Sequence, residues 1–570
     1  MKTIGLDILS INKKKSSAVL ICRSASSIFP LVQIYLIKLL IDELMIRGNT
    51  YHHLIYILIA FAAIQWISSI INQFSGLWET VLQQEVTDVF SNRIIDKTTH
   101  LDYSLLENPS FQNSLYLAQQ QARFRVNQLL PAMYNSFSSG LSIFFLIILF
   151  VGIKAYFFLL IVLLAIPITI HKWLEGKKST DLEFKLSPKE RESQYLFQIL
   201  TGTSWSKEIR TIGFGHQFQE QFKKIRDFIA TEKNRIQQAG LSKGLIIESL
   251  EISLTIGIMF YLSISAMDAK LGTGLFILYL QGVQRLQSSS KSFFQSLLQL
   301  FQLRIFIKDL YAFLALPDSN PIKNKIFKTN IDELKIENLS FGYPGGEGLV
   351  LDQINLRAKK GEIIAIVGDN GSGKSTLVKL IARLYQPDKG KILFDQENDD
   401  GSSGSFLFQD FQTYQYSVES NIHFSMTPSP TESEAARVAA IHSNADAFIK
   451  KLGKGYQTQL GHLHEGSLQL SGGQMQKIAL ARIFYQKKAL VVLDEPSSAL
   501  DAFSELELYE NIRKEFYNSI VILISHRLYN LKLADRIYVM KDGRIVQEGS
   551  FDELSRQDGL FKTMYEKQKI

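Results

Sequence analysis

The sequence predicts an all-α membrane domain of six transmembrane helices, followed by an α/β domain built on a largely parallel sheet. Three observations carry this. Residues 126–153, 155–170 and 252–267 contain no charged side chain. Short Val/Ile/Leu runs at 362–367, 489–493, 520–524 and 536–540 alternate with helical patterns, which is how a helix-covered parallel sheet reads in sequence. The mean hydropathy of all 570 residues is only +0.04, so a very apolar part must be balanced by an ordinary soluble one.

Six apolar spans are read at about 17–42, 51–77, 132–153, 155–174, 244–267 and 272–298, each long enough to cross a bilayer core of about 30 Å as a helix. An even number puts both termini on one side. Lys2, Lys13, Lys14 and Lys15 precede the first span, and the long connections 78–131 and 175–243 carry most of the remaining Lys and Arg of this half. The positive-inside rule therefore makes the long connections and both termini cytoplasmic. No small-residue cleavage site follows the first run, which argues against a signal peptide.

The stretch 79–103 keeps helical periodicity without Gly or Pro, and 177–199 keeps it with Pro188 as its one interruption, so the membrane helices are expected to continue well into the cytoplasm. Two breaks interrupt these extensions, at Glu107-Asn108-Pro109-Ser110-Phe111 and around Gly202 to Gly215. Beyond the sixth span, amphipathic sequence runs to Leu316 and ends at Pro317-Asp318-Ser319-Asn320-Pro321. The expected organisation is a membrane domain over 1–316, a linker over 317–330 and the α/β domain over 331–570. In the sixth span Gln281, Arg285, Ser288, Ser292 and Gln295 recur at helical spacing as one polar stripe, with Glu248 and Glu251 of the fifth span as candidate counter-charges for Arg285. An ionisable residue at membrane depth faces water or a partner.

Composition excludes several classes. With 46% hydrophobic and 21% charged residues the chain is neither disordered nor collagen-like. A single cysteine, Cys22, cannot close an internal disulfide. The net charge of +7 is spread between membrane segments rather than gathered on one face, so nucleic acid is not an expected partner.

The chemistry lies in the second half. The strand 362–367 runs into Gly368-Asp369-Asn370-Gly371-Ser372-Gly373-Lys374-Ser375-Thr376 and then a helical pattern, the strand–loop–helix context that a phosphate-binding P-loop requires. Its glycines let backbone N–H groups wrap phosphates, Lys374 neutralises β/γ charge, and Ser375 can ligate Mg²⁺. Ala489–Glu495 reads as a buried strand with two carboxylates at its C-terminal end, where α/β sheets place ligands. Asp494 suits the Mg²⁺ shell and Glu495 the polarisation of the attacking water. Leu470-Ser471-Gly472-Gly473-Gln474 precedes a helical stretch and offers a second helix N-terminus for phosphate.

Taken in order, the P-loop, Leu470-Ser471-Gly472-Gly473-Gln474, the Asp494-Glu495 strand end, Ser498-Ala499-Leu500-Asp501 and His526 resemble the nucleotide-binding domain of ABC transporters. The resemblance implies an ATPase with ATP and Mg²⁺ as ligands. It also implies a dimer, because in that family ATP lies between the P-loop of one domain and the Leu-Ser-Gly-Gly-Gln segment of its partner, and it puts Asp501 among the nucleotide-binding residues. By the same resemblance Tyr343 would be the adenine platform, Gln409 would reach Mg²⁺ and water, and His526 would contact the γ-phosphate. The chain departs from the family between Gly390 and Gln409, where only eighteen residues intervene, including a polar run over 395–404.

Leu101-Asp102-Tyr103 with the first break, Lys207-Glu208-Ile209-Arg210, Thr458-Gln459-Leu460-Gly461 before Glu465-Gly466, and Gln476-Lys477-Ile478-Ala479-Leu480-Ala481-Arg482 are together similar to lantibiotic-type peptide exporters. This implies an alternating-access homodimer in a bacterial cytoplasmic membrane, exporting a lantibiotic, bacteriocin or similar peptide, with the two breaks as coupling helices. A lipid or lipid-linked oligosaccharide flippase and a membrane-tethered regulatory ATPase stay open as alternatives.

Overall fold

The computed structural model describes residues 7, 9–45, 51–149, 156–203, 205–267, 272–317, 331–346, 348–395 and 404–568. It divides into two compact units, one of Met1–Thr99 with Asn108–Pro317 and one of His100–Glu107 with Asp318–Ile570. The expected linker lies almost wholly outside the described residues.

The first unit is built from long helices: α1 (Lys13–Met45), α2 (Tyr51–Thr99), α4 (Pro109–Leu149), α5 (Tyr156–Thr201), α7 (Gly215–Met267) and α8 (Thr273–Leu314). The 49 residues of α2 make a rod of roughly 70 Å, far beyond the ~30 Å hydrocarbon core. Short helices fill both breaks, α3 (Tyr103–Leu106), which falls in the second unit, and α6 (Ser206–Ile212). Gly213 ends α6 at φ 84°, its N–H capping the Ile209 carbonyl, a left-handed position that glycine takes without strain.

Among the described residues α1, α2, Arg125–Ile148 of α4, and α7 are long and apolar enough to cross a membrane. Large apolar side chains such as Trp66 and Phe260 are exposed, as lipid-facing positions should be. The first unit's core gathers Leu31, Ile34, Leu146, Ile258, Val283 and Leu286. Polar pairs also join the helices: Arg23 Nη2 lies 2.5 Å from Glu79 Oε2, and Gln33 donates to Gln65 at 2.6 Å.

The polar stripe of α8 divides differently from the expectation. Ser292 accepts from Ser139 of α4 at 3.0 Å and so belongs to a helix contact, whereas Gln284, Arg285, Ser288 and Gln295 are exposed. Glu251 is no counter-charge for Arg285. It is buried, accepts from Gln287 at 2.7 Å and lies 2.9 Å from Lys291 Nζ. Glu248 is exposed.

The second unit holds two sheets. β1 (Glu333–Phe341), β2 (Leu351–Lys359) and β4 (Lys389–Phe394) form an antiparallel sheet of order β2-β1-β4. β3 (Ile363–Gly368), β5 (Gly404–Leu407), β6 (Leu490–Asp494), β7 (Ile520–Ile524), β8 (Arg536–Lys541) and β9 (Arg544–Gly549) form the second, in the order β5-β6-β7-β3-β8-β9. It is parallel except at the β8–β9 edge. Every residue of β3, β6 and β7 is buried, which explains their unbroken apolar runs. The helices that follow the strands include α9 (Lys374–Ile381) after β3, α10 (Val418–His423), α11 (Pro430–His442), α12 (Asp446–Ile449) and α13 (Gly472–Gln486) before β6, and α14 (Ala502–Glu515) before β7. This crossover arrangement brings the C-terminal ends of β3, β6 and β7 together, the place where such sheets bind ligands.

Candidate functional site: a phosphate cradle at the sheet's C-terminal edge

The loop between β3 and α9 folds back on itself because its glycines adopt conformations closed to other residues. Gly371 has φ 82° and Gly373 φ 100°, and a Cβ on Gly373 would come within 2.6 Å of Leu351 Cδ2. The buried Lys374 side chain donates to the carbonyls of Gly368 and Asp369, both at 2.9 Å, and lies 3.5 Å from Ser372 Oγ. Burial pushes its ammonium below the ordinary lysine pKa, and the facing Asp494, Glu495 and Asp369 pull it back. A buried cation whose partners are mostly neutral carbonyls is suited to an incoming anion. Asn370 stands exposed on the loop, while Thr376 in the first turn of α9 shares a 3.1 Å hydrogen bond with the Tyr343 hydroxyl.

Across from the cradle, Ser375 donates to Asp494 Oδ2 at 3.3 Å. Desolvation, reinforced by neighbouring Glu495, pushes Asp494 up to about 6. A hydroxyl and one buried carboxylate form a hard-oxygen donor set. Two oxygen donors fit an ion that takes its remaining oxygens from phosphate and water, as Mg²⁺ does. Ser375 and Asp494 would hold it.

Glu495 follows with φ 50°, a left-handed backbone that costs a non-glycine residue energy and marks functional turns. Its carboxylate meets two groups from other strand ends. His526 Nε2 lies 2.9 Å from Oε1, and Gln409, just past β5, donates to Oε2 at 3.3 Å. The short connection before Gln409, partly outside the described residues, does not carry it away from the site. Glu495, read from its strand end, and Gln409 and His526, assigned by the resemblance, therefore converge.

The second helix N-terminus is formed but stands apart. Ser471 caps α13 through a reciprocal box with Gln474. Gly473 packs so tightly that a Cβ would meet the Ala499 carbonyl at 2.6 Å, and Gly472 is exposed. Among the described residues no hydrogen bond joins 471–474 to 368–376. Asp501 caps α14, accepting from Ser504 N at 2.9 Å and Ser504 Oγ at 2.7 Å. Within one chain both act as helix caps.

Gln476, and the aromatic neighbours Phe341 and Tyr385 of Tyr343, were given no role of their own by sequence reasoning. Gln476, 1% exposed, donates to the Glu495 carbonyl at 3.0 Å and to Ser498 Oγ at 3.1 Å, and accepts from Ala499 N at 3.0 Å. It fixes the turn that carries Glu495. Tyr343, expected to be an adenine platform, is half-buried in an aromatic cluster with Phe341 and Tyr385 at ring distances of 5.2 and 5.3 Å. Glu107 of the 100–107 segment closes this cluster, accepting from Tyr385 Oη and lying 3.3 Å from Lys379 Nζ. The Tyr385 hydrogen bond, aided by Tyr103 and Lys379, holds the Glu107 carboxyl below the usual carboxylate range against its burial.

Comparison with known proteins agrees with this geometry. Residues 351–498 match the profile of the family described as ABC transporter. The chain is 29% identical to the nisin transport ATP-binding protein NisT of Lactococcus lactis subsp. lactis, over 98% of this chain and 94% of that one. It is 30% identical to the subtilin transport ATP-binding protein SpaT of Bacillus subtilis, over 95% and 89%. An ATP-dependent lipid A-core flippase of Colwellia psychrerythraea is also 30% identical, over 64% and 62%. The solved structure of a bacterial Atm1-family ABC exporter with ATP bound superposes with a TM-score of 0.85 at 19% identity, covering 98% of this chain and 99% of that one. With a 30% identical relative along nearly its whole length and a P-loop domain matched by the family's own profile, the chain belongs to the ABC transporters, as a half-transporter of the exporter type whose ATP hydrolysis is coupled to transport.

Proposed function

We propose that two copies of this chain export a peptide, a lantibiotic, bacteriocin or similar modified peptide, from the cytoplasm across a bacterial cytoplasmic membrane. The observation that carries the cargo reading is the exposed face of Gln284, Arg285, Ser288 and Gln295 on α8. Polar groups along a membrane helix lower the cost of passing backbone amides, which an apolar wall would leave unsatisfied. The matches to nisin and subtilin transport proteins support it.

In this reading Lys374 and the loop amides hold the β- and γ-phosphates, Ser375 and Asp494 hold Mg²⁺, and Tyr343 receives the adenine. When bound, the ion neutralises charge between the β- and γ-oxygens. Glu495, fixed by Gln476 and flanked by His526 and Gln409, accepts the proton of the attacking water. Ser471, the glycines after it and Asp501 complete the site from the partner copy, which accounts for their standing apart from Lys374 within one chain. Closing two such sites turns the cavity outward, and hydrolysis resets it with both termini cytoplasmic throughout.

The second reading is a lipid or lipid-linked oligosaccharide flippase, favoured by the match to the lipid A-core flippase and by the suitability of Arg285 for a phosphate headgroup. ATPase rates in proteoliposomes separate the readings. Stimulation by the peptide encoded beside the gene is expected. Stimulation by phospholipid or polyprenyl-linked sugar alone would replace export by flipping, and no stimulation by either would leave a regulatory ATPase.

A further inference from the structure

The polar residues of α8 fall into two sets. One is satisfied inside the protomer, Gln287 and Lys291 by Glu251 and Ser292 by Ser139. The other, Gln284, Arg285, Ser288 and Gln295, is exposed. The Arg285 guanidinium has no hydrogen-bond or ionic partner among the described residues. It lies twelve residues from the start of α8 at Thr273, or about 18 Å along the helix, close to the middle of a ~30 Å core. A guanidinium held there with no counter-ion among the described residues of its own chain calls for one from outside it.

An apolar groove of about 550 Å³ runs between α4 and α8, lined by Met133, Phe137, Gly140, Phe144, Phe293 and Leu300. Phe111 against Phe313 and Ser139 against Ser292 fix the two helices as antiparallel. Phe144 lies five residues beyond Ser139, and Arg285 seven residues from Ser292 toward the same end, so the two share a depth to within about one turn. Gly140 keeps the groove wall thin, since a Cβ there would lie 3.2 Å from the Phe293 ring.

We propose that Arg285 and this groove form one cargo subsite, which takes a carboxylate beside a bulky apolar side chain, so that the exported peptide carries an acidic residue next to a hydrophobic one. The inference rests on the peptide-export reading and names the chemistry of its substrate. Charge complementarity selects the carboxylate, which a guanidinium binds bidentately. The groove selects the apolar neighbour, and the amide and hydroxyl groups of Gln284, Ser288 and Gln295 serve the peptide backbone between them.

The test uses the full chain in nanodiscs of neutral phosphatidylcholine, incubated with an equimolar mixture of random decapeptides, with retained peptides sequenced by mass spectrometry against empty discs. The wild type should enrich Asp and Glu adjacent to Phe, Leu or Ile by about tenfold, the scale of one charge-assisted contact. Arg285→Gln should abolish the acidic preference, Arg285→Lys should retain part of it, and Arg285→Glu should invert it toward Lys and Arg. If Arg285→Gln does not assemble, phenylglyoxal labelling of Arg285 in the wild type supplies the reading, slowed by acidic decapeptides and not by their Asn/Gln counterparts. Retention of peptides without acidic enrichment overturns the subsite and leaves peptide export standing. Retention of no peptide, with phosphatidylglycerol bound instead when it is added to the discs and that binding lost in Arg285→Gln, overturns both and assigns Arg285 to a lipid phosphate.

Discussion

Glu495 occupies a backbone conformation that a glutamate adopts at a cost, φ 50°, between His526 and Gln409. Glu495→Gln should bind ATP with near-normal affinity, because Lys374 and the loop amides are untouched. Its steady-state hydrolysis should fall by about 10²-fold or more, the usual worth of a general base. Filter-binding and phosphate-release assays on the same preparation check this, and near-normal turnover would remove Glu495 from catalysis. Asp494 gives a pH prediction. Its pKa of about 6 lies above the ordinary 3.8, so between these values the folded protein holds a proton that the unfolded chain releases. That contribution to stability is present at low pH and lost as pH rises through about 6. Mg²⁺ needs the carboxylate, so Mg²⁺-dependent ATP affinity should weaken by up to about tenfold per pH unit below about 6. Asp494→Asn should flatten that titration, and an unchanged profile would sink the assignment. The P-loop, Asp494 and Glu495 were legible in sequence because each is tied to a strand end. The raised pKa of Asp494 was not, since it depends on burial by distant segments.

The helices and strands that position the site were legible where their pattern is local. Unbroken apolar runs gave β3, β6, β7 and β8, and sustained helical periodicity gave the long helical extensions, with α5 continuing through Pro188. The division of α8 was not legible, because period alone places Ser292 and Gln295 on one stripe, whereas packing on Ser139 removes the first from it. The docking of Glu107 on Tyr385 and Lys379 was equally hidden, since it joins residues more than 270 positions apart. Nor did the run Gln476–Arg482 reveal that Gln476 turns inward to brace the 495–499 turn. Gln476→Ala removes this brace without touching phosphate or Mg²⁺ groups. It should lower kcat by roughly tenfold or more, the cost of a misplaced catalytic group, with little change in KM for ATP. A rise in KM at constant kcat would instead put Gln476 in nucleotide binding.

For the whole molecule, the caps formed by Ser471 and Asp501 and the cradle around Lys374 are complete in one chain, yet no hydrogen bond joins them among the described residues. With Lys374, Glu495, His526 and Ser471 all present, two identical chains would supply two competent composite sites. Native mass measurement in nanodiscs should give a homodimer, and a stable complex with a different half-transporter would refute it. The same symmetry would place two copies of Arg285 about one axis, concentrating positive charge where the cargo passes. The most direct test of ATP-driven peptide export is accumulation of a labelled peptide, the one encoded beside the gene, inside inside-out proteoliposomes that contain this chain alone. The account predicts ATP- and Mg²⁺-dependent accumulation above the external concentration, abolished by Glu495→Gln. Labelled phospholipid moving between leaflets in the same vesicles, with no accumulation of peptide, would contradict it.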